Sequence, residues 1–415
     1  MRTFRVMIIF TVVLIFFYTT LHLEVTSSPK SAPEMLTELL DLPPQVQFQD
    51  RITVPQPKVL NVNVSDSFKQ TITQNKAYWN RLLYSALKNQ GKERSPPRSG
   101  SDWSSCKVTD QELLRTNVHD FNSYNPLLQD FVQSMNCRTP PVLINQPKKC
   151  FSAGEDKEDE KILLLGIKST PAHFERRQAV RETWGQERVN KTGLRVRTVF
   201  LMGRPQVDDP DLSLLLSFEA GLFGDILQWD FHESFLNLTL KMSAFLQWTL
   251  TYCPHVTFVF SGDDDVFVNT PLLLTYLQSL GSSEASKLYS GHVIRQASPI
   301  RDPRSKYYIP MSYYDGPYPQ YVGGGGFLVS GALLESFYSV SQIIPFYPID
   351  DAYTGMCFNA LGVIPQSHEG FYTFEIKEES RQSLCVHKGL ILTHQHSPQQ
   401  LKRLWRGIHS PFLTC

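Results

Sequence analysis

VTFVFSGDDD, residues 256–265, runs from a β-branched and aromatic stretch straight into three carboxylates. Val, Thr and Phe suit the pleated, buried surface of a strand. The acids that follow, Asp263, Asp264 and Asp265, repel one another unless something positive neutralises them. A divalent cation does this. Hard oxygen ligands select Mg²⁺ or Mn²⁺, which bind through one or two carboxylates plus substrate phosphates. An acid triplet can also be a solvated turn, but its place directly after a buried strand favours a site.

Working outward, strand and helix patterns alternate. KILLLGIKS (161–169) and RVRTVFLMG (195–203) read as strands, and DILQWDF (225–231) as a shorter one. FERRQAVRETWG (174–185), Asp211 to Ala220 and LTLKMSAFLQWTLTYC (238–253) read as helices. Such alternation predicts an α/β fold with a mostly parallel central sheet between helices. Ligands in such sheets bind at the carboxyl ends of strands.

Four further features are candidates. YPIDDAYTGM (347–356) places Asp350 and Asp351 after a proline, as at a helix start. One can cap backbone N–H groups while the other takes a proton from a hydroxyl. An Asp pinned at a helix N-terminus is expected to keep a low pKa and make a weak base. Gly323, Gly324, Gly325 and Gly326 precede the β-like FLVS and permit close backbone approach to a ligand. A flexible loop is the alternative. His394, in LILTHQHS, follows an apolar run, and His396 competes with it for any assignment. Arg176, Arg177 and Arg181 lie on the helix after the first strand, with Arg177 and Arg181 on one face at i, i+4; they suit a nucleotide's phosphates or ribose, or an ordinary surface.

Residues 6–23, VMIIFTVVLIFFYTTLHL, contain no Asp, Glu, Lys or Arg. At ~1.5 Å per residue they extend ~27 Å, close to a bilayer's hydrocarbon core. Arg2 and Arg5 precede them, which predicts a cytoplasmic tail (1–5) and a type II signal anchor (6–23). A cleaved signal peptide fits less well, because the run ends in TTLHLE without small cleavage-site residues. Residues 24–104 are rich in Pro, Ser, Gln and Lys and read as an extended stem. Residues 105–158 hold three cysteines and read as a folded lead-in, with the catalytic domain at 159–415. Asn63, Asn190 and Asn237 head glycosylation sequons. Seven cysteines with no C-x-x-C pair predict disulfides in an oxidising compartment, one thiol being left over. A net charge of zero argues against nucleic acid as a partner.

Taken together these residues resemble the Golgi β-1,3-glycosyltransferase family, over about Cys150 to Cys415. The resemblance rests on RRQAVRETWG (176–185), NLTLK (237–241), FVFSGDDDVFVN (258–269), YYIP (307–310), GGGGFLVSG (323–331) and YPIDDAYTGMC (347–357). It is strongest to the β-1,3-N-acetylglucosaminyltransferase branch that extends poly-N-acetyllactosamine. It implies a GT-A-type nucleotide-sugar-binding fold, a UDP-GlcNAc donor, a galactose-terminated glycan acceptor and Mn²⁺ (or Mg²⁺). It also implies a Golgi membrane location with the catalytic domain in the lumen, and homo- or hetero-oligomers with other glycosyltransferases. By residue, it implies that Asp265 and His394 hold the metal and that Asp263 and Asp264 lie beside the ribose. Asp351, or else Asp350, matches the base, and Gly324 and Gly325 fall at the donor. The family's usual lysine before the triplet's glycine is Ser261 here. The implied activity is inverting transfer of N-acetylglucosamine to the 3-hydroxyl of a terminal β-galactose. Galactose transfer from UDP-galactose, a non-catalytic binding protein or chaperone, and a metal-dependent phosphohydrolase are the alternatives.

Overall fold

The computed structural model describes residues 54–89, 103, 106, 111–151 and 161–415, apart from 74, 190–192, 206, 208 and 375. The expected tail, membrane span and opening of the stem, and the sequon at Asn190, lie outside the described residues. Among the described residues no helix is long and apolar enough to cross a membrane.

The strands are β1 (Val142–Ile144), β2 (Ile162–Lys168), β3 (Arg195–Arg204), β4 (Ile226–His232), β5 (Val256–Asp263), β6 (Phe267–Val268), β7 (Tyr289–Ile294), β8 (Tyr321–Ser330), β9 (Gln366–Ser367), β10 (Phe371–Tyr372) and β11 (Leu392–Thr393). The helices that matter here are α1 (Asp66–Thr71), α2 (Tyr78–Lys88), α3 (Phe174–Glu182), α4 (Pro210–Phe223), α5 (Leu238–Tyr252), α6 (Asp350–Ala360) and α7 (Pro398–Ile408). The main sheet has the order β1-β4-β3-β2-β5-β8-β7-β9. β4, β3, β2 and β5 run parallel, as the alternation requires. β1 pairs antiparallel with β4, and β8 is antiparallel to both β5 and β7. β7 and β9 pair parallel as well, so the sheet is mixed, with four parallel and three antiparallel pairings. β8, which contains the glycine run, runs antiparallel between β5 and β7.

Alternate strand residues serve opposite faces, as the two-residue period demands. Ile162 and Leu164 join one core with Phe245 and Trp248 of α5. Leu163, Leu165 and Ile167 join the other with Val180 of α3 and Leu216 of α4. Gly166 in the middle of β2 admits the Phe245 ring; a Cβ there would lie 2.4 Å from its Cε1. α5 thus packs directly on the strand that ends at the site.

Part of the segment expected as stem is packed into the fold. Val62, Val64, Phe68, Trp79 and Leu83 are buried in the first of these cores. Trp79 stands edge-on to Tyr314 and Tyr347, each with ring centroids 5.3 Å away, and its indole N–H donates to Phe346 O at 3.0 Å. The polar average over 24–104 hides a strand-like Val-Asn-Val and an amphipathic helix, and local pattern rather than composition drives burial. Disulfides join Cys106 to Cys137, Cys150 to Cys253 and Cys385 to Cys415, leaving Cys357 free and buried.

Candidate active site

β2 and β5 are parallel neighbours with Lys168 in register with Asp263, so both strands deliver charge at their carboxyl ends. A cleft of about 480 Å³ opens there, lined by Lys168, Arg176, Asp263, Asp264, Asp265, Gly324, Gly325, Asp350, Asp351 and His394 among others. The two acid clusters, far apart in sequence, thus share one cavity.

Lys168 joins them. Its ammonium lies 3.1 Å from Asp263 Oδ1 and 3.1 Å from Asp350 Oδ2, and donates to Gly324 O at 2.9 Å. Burial pulls this lysine's pKa down, but the two carboxylates more than reverse the effect and hold it charged. One ammonium shared between two acids leaves each under-compensated. Burial accordingly raises Asp263, with Lys168 and His394 pulling the other way. Sequence reading missed Lys168; a lysine closing an otherwise apolar strand was the available signal.

A small second sheet brings His394 in. β11 pairs antiparallel with β6, Thr393 opposite Phe267, so the residue after β11 meets the residues before β6. The His396 N–H donates to Asp265 O at 2.8 Å and clamps this turn. His394 Nε2 lies 3.1 Å from Asp265 Oδ1 and 3.6 Å from Asp263 Oδ2. Asp263, Asp265 and His394 each offer one ligand atom, all within 4.8 Å of one another. Two carboxylates and one imidazole fit a first-row divalent ion such as Mn²⁺ better than Mg²⁺, which prefers oxygen alone. Asp263 joins the expected pair here rather than standing only beside a ribose. Burial would raise Asp265, yet the His394 hydrogen bond and charge and Arg176 outweigh it, so Asp265 is held below its usual range. Burial depresses His394, and the Asp265 hydrogen bond and charge more than restore it. His396 is buried and bonded through Nε2 to Thr393 Oγ1 at 2.8 Å, and its pKa falls to about 3 through burial first. The competition between the two histidines is decided by position.

Asp264 faces the other way. It accepts from Ser169 Oγ at 2.7 Å, meets His173 Nδ1 at 2.8 Å and pairs with Arg176 at 3.1 Å. Arg176 also reaches Asp265 Oδ2 at 3.1 Å. The arginine in the cleft is therefore Arg176, and the expectation for Arg177 and Arg181 is corrected. Arg177 is fully buried and its guanidinium grips Glu219, with Nη2 2.7 Å from Oε2. Arg181 pairs with Glu219 and Asp225. Both belong to a closed ion-pair cluster beside the sheet, because one step along a helix rotates a side chain by about 100°.

α6 begins at Asp350, as the Pro-Ile-Asp-Asp pattern predicts. Asp350 is committed to Lys168. Asp351 accepts from Ala352 N at 2.7 Å and Gly324 N at 3.1 Å. The low pKa expected of a pinned helix-start acid does not follow. Burial and then the neighbouring Asp350 push Asp351 up to about 7, against Lys168 and the two N–H groups. The glycine run lies inside β8 and is no loop. A Cβ on Gly324 would touch the Asp351 carboxyl at 3.4 Å; one on Gly325 would stand 2.9 Å from Thr373 Cγ2 and 3.2 Å from His394 Nδ1. Asn63 is exposed, and Asn237 is half-buried at the start of α5.

Residues 175–369 match a family model described as galactosyltransferase. N-acetyllactosaminide beta-1,3-N-acetylglucosaminyltransferase 2 of Mus musculus is 43% identical over 352 residues, covering 82% of this chain and 86% of that protein. Acetylgalactosaminyl-O-glycosyl-glycoprotein beta-1,3-N-acetylglucosaminyltransferase of Homo sapiens is 40% identical over 305 residues, 71% of this chain and 77% of that one. UDP-GlcNAc:betaGal beta-1,3-N-acetylglucosaminyltransferase 7 of Rattus norvegicus is 41% identical over 304 residues, 71% of this chain and 74% of that one. With a matching family model over 175–369, which includes both acid clusters, and identity of this level over most of its length, the chain belongs to the galactosyltransferase family.

Proposed function

We propose that the protein transfers N-acetylglucosamine from UDP-GlcNAc to the 3-hydroxyl of a terminal β-galactose, with inversion, as in poly-N-acetyllactosamine extension. The names of the relatives support this donor and linkage. The observation that carries it is the single cleft in which a metal-type donor set and an acid with a pKa near 7 stand on either side of Lys168.

Asp263, Asp265 and His394 would hold Mn²⁺ (or Mg²⁺), which when bound neutralises charge on the departing UDP diphosphate. Asp264 acts by fixing His173 and Arg176 on the donor side of the cleft, and Gly324 and Gly325 let the strand backbone approach. Lys168 keeps Asp350 and Asp263 apart from the reacting proton. Asp351 takes the acceptor's 3-hydroxyl proton; a base poised near neutral pH is efficient in that role. The acceptor oxygen bonds to the anomeric carbon from the face opposite UDP as the carbon–phosphate oxygen bond breaks. UDP leaves with that electron pair, and the α-linked donor becomes a β-linkage.

Three disulfides among the described residues suit an oxidising lumen. Together with Arg2 and Arg5 ahead of an uncharged apolar run, they support a type II Golgi membrane protein.

The test is incubation of the full-length chain with UDP-GlcNAc or UDP-galactose, lactosamine and Mn²⁺, with and without EDTA. The expected product is N-acetylglucosamine β-1,3-linked to galactose by NMR, lost in EDTA. Galactose incorporation instead identifies the sister activity. Phosphate release without acceptor identifies a hydrolase, and no turnover with either donor sinks the enzyme reading.

A further inference from the structure

A metal-bound histidine commonly donates its second ring N–H to an outer partner, which fixes the tautomer and the ring plane. His394 turns Nε2 toward Asp263 and Asp265. Its Nδ1 is buried without a hydrogen-bond partner among the described residues. A second orphan lies beside it. Thr373 is 3% exposed and its Oγ1 is also buried without a partner. Thr373 Cγ2 and His394 Nδ1 both stand within 3.2 Å of the point where a Cβ on Gly325 would lie. Thr373 and His394 are the residues that follow the parallel pair Tyr372–Thr393 of β10 and β11, so the Thr373 side chain and the imidazole converge on one point beside Gly325 while their polar atoms stay unbonded to each other.

We propose that Thr373 is the positioning residue for His394. A turn about Thr373 χ1 into another staggered well exchanges Cγ2 for Oγ1, and the hydroxyl then accepts the His394 Nδ1–H. The exchange satisfies two buried polar atoms at once and leaves Nε2 with its lone pair toward the carboxylates. Gly325 is part of the device, since any side chain there would fill the space in which the two groups meet. The backbone N–H of Thr373, which donates to His292 Nδ1 at 3.3 Å, holds the residue in register while its side chain turns. This inference rests on the reading of His394 as a metal ligand.

The experiment is Mn²⁺ titration of the full-length chain in detergent, followed by EPR, for wild type, Thr373→Val, Thr373→Ser and His394→Ala. Valine is nearly isosteric but cannot accept a hydrogen bond. We expect Thr373→Val to weaken Mn²⁺ binding about 10- to 100-fold, as loss of an outer partner does elsewhere. Thr373→Ser should stay near wild type, and His394→Ala should bind weakest. The ¹⁵N shifts of the His394 ring should report an Nδ1–H tautomer in wild type and Thr373→Ser, and a mixed population in Thr373→Val. A purely packing role for Thr373 moves neither the tautomer nor the serine variant's rescue. Wild-type affinity and tautomer in Thr373→Val, with His394→Ala impaired, overturns the proposal and leaves the metal reading standing. Wild-type affinity in His394→Ala overturns both.

Discussion

Helix α3 separates two networks of buried charge that differ in one respect. On one side, Arg177 and Arg181 meet Glu219 and Asp225, two positive and two negative groups in mutual contact. On the other, Asp263, Asp264, Asp265, Asp350 and Asp351 line a cleft with Lys168 and Arg176 as their paired cations. The first network is closed in charge and neutral; it touches the second through Ser169, whose hydroxyl accepts from Arg177 Nη1 at 3.2 Å and donates to Asp264 at 2.7 Å, and nothing about it calls for a ligand. The second is open and short of positive charge, and it holds an acid at a pKa of about 7. Perturbed acids in a cleft mark a functional site, whereas a self-compensated cluster of equal burial marks structure. Three arginines on one helix divide between the two roles.

The sharpest way to break this comparison is Asp351→Asn. The change is isosteric and keeps an oxygen for the Gly324 or Ala352 N–H. We expect kcat to fall about 10²- to 10⁴-fold, the contribution of a positioned base, with UDP affinity by calorimetry unchanged. Retained turnover removes Asp351 from the mechanism. The converse test is Arg177→Met in the closed network. Removing one partner of a buried pair leaves Glu219 under-compensated, so urea denaturation should show a loss of about 3–5 kcal/mol. The kcat of the folded enzyme should be unchanged. A specific loss of donor affinity in this variant would return Arg177 to the donor site.

The smallest expected effect separates activity from stability. Asp351 has a folded pKa above its unfolded one. The folded protein therefore binds the extra proton, and stability is greatest where Asp351 is protonated. It falls as pH rises from about 4, the unfolded value, through about 7, with opposite sign to a salt-bridged acid. Activity runs the other way, since the base must be ionised. In metal-free protein, wild type should lose on the order of 1 kcal/mol across this window, discounted because the cleft is open to water. Asp351→Asn should lose none of it, as read by thermal unfolding at pH 5 and pH 8. Equal pH dependence in both proteins means Asp351 is not the group held high.

The site was legible in sequence to the extent that its chemistry sat in short runs. DDD after a strand and DD after a proline are local patterns, and the tertiary structure puts both where the pattern suggests. Lys168 was hidden because a lysine ending an apolar strand has no local partner; its partners come from Asp263 and Asp350. Arg177 and Arg181 share a face by spacing, but spacing does not say which face looks into the cleft. His394 was a candidate from its place after an apolar run, but only the family resemblance set it above His396. Its approach to Asp265 depends on the β6–β11 pairing of two-residue strands too short to announce themselves.

By itself the sequence determined the alternation of strands and helices, the parallel run of β4, β3, β2 and β5, and which residue types stand ready for metal and proton chemistry. These follow from hydrophobic period and turn chemistry, which are local. Only the tertiary structure decided which charges neutralise one another, that β8 turns back antiparallel, and that residues 62–83 join the core instead of the stem. Ionic pairing, pKa and burial depend on what lies within a few ångströms, and long-range contacts set that neighbourhood.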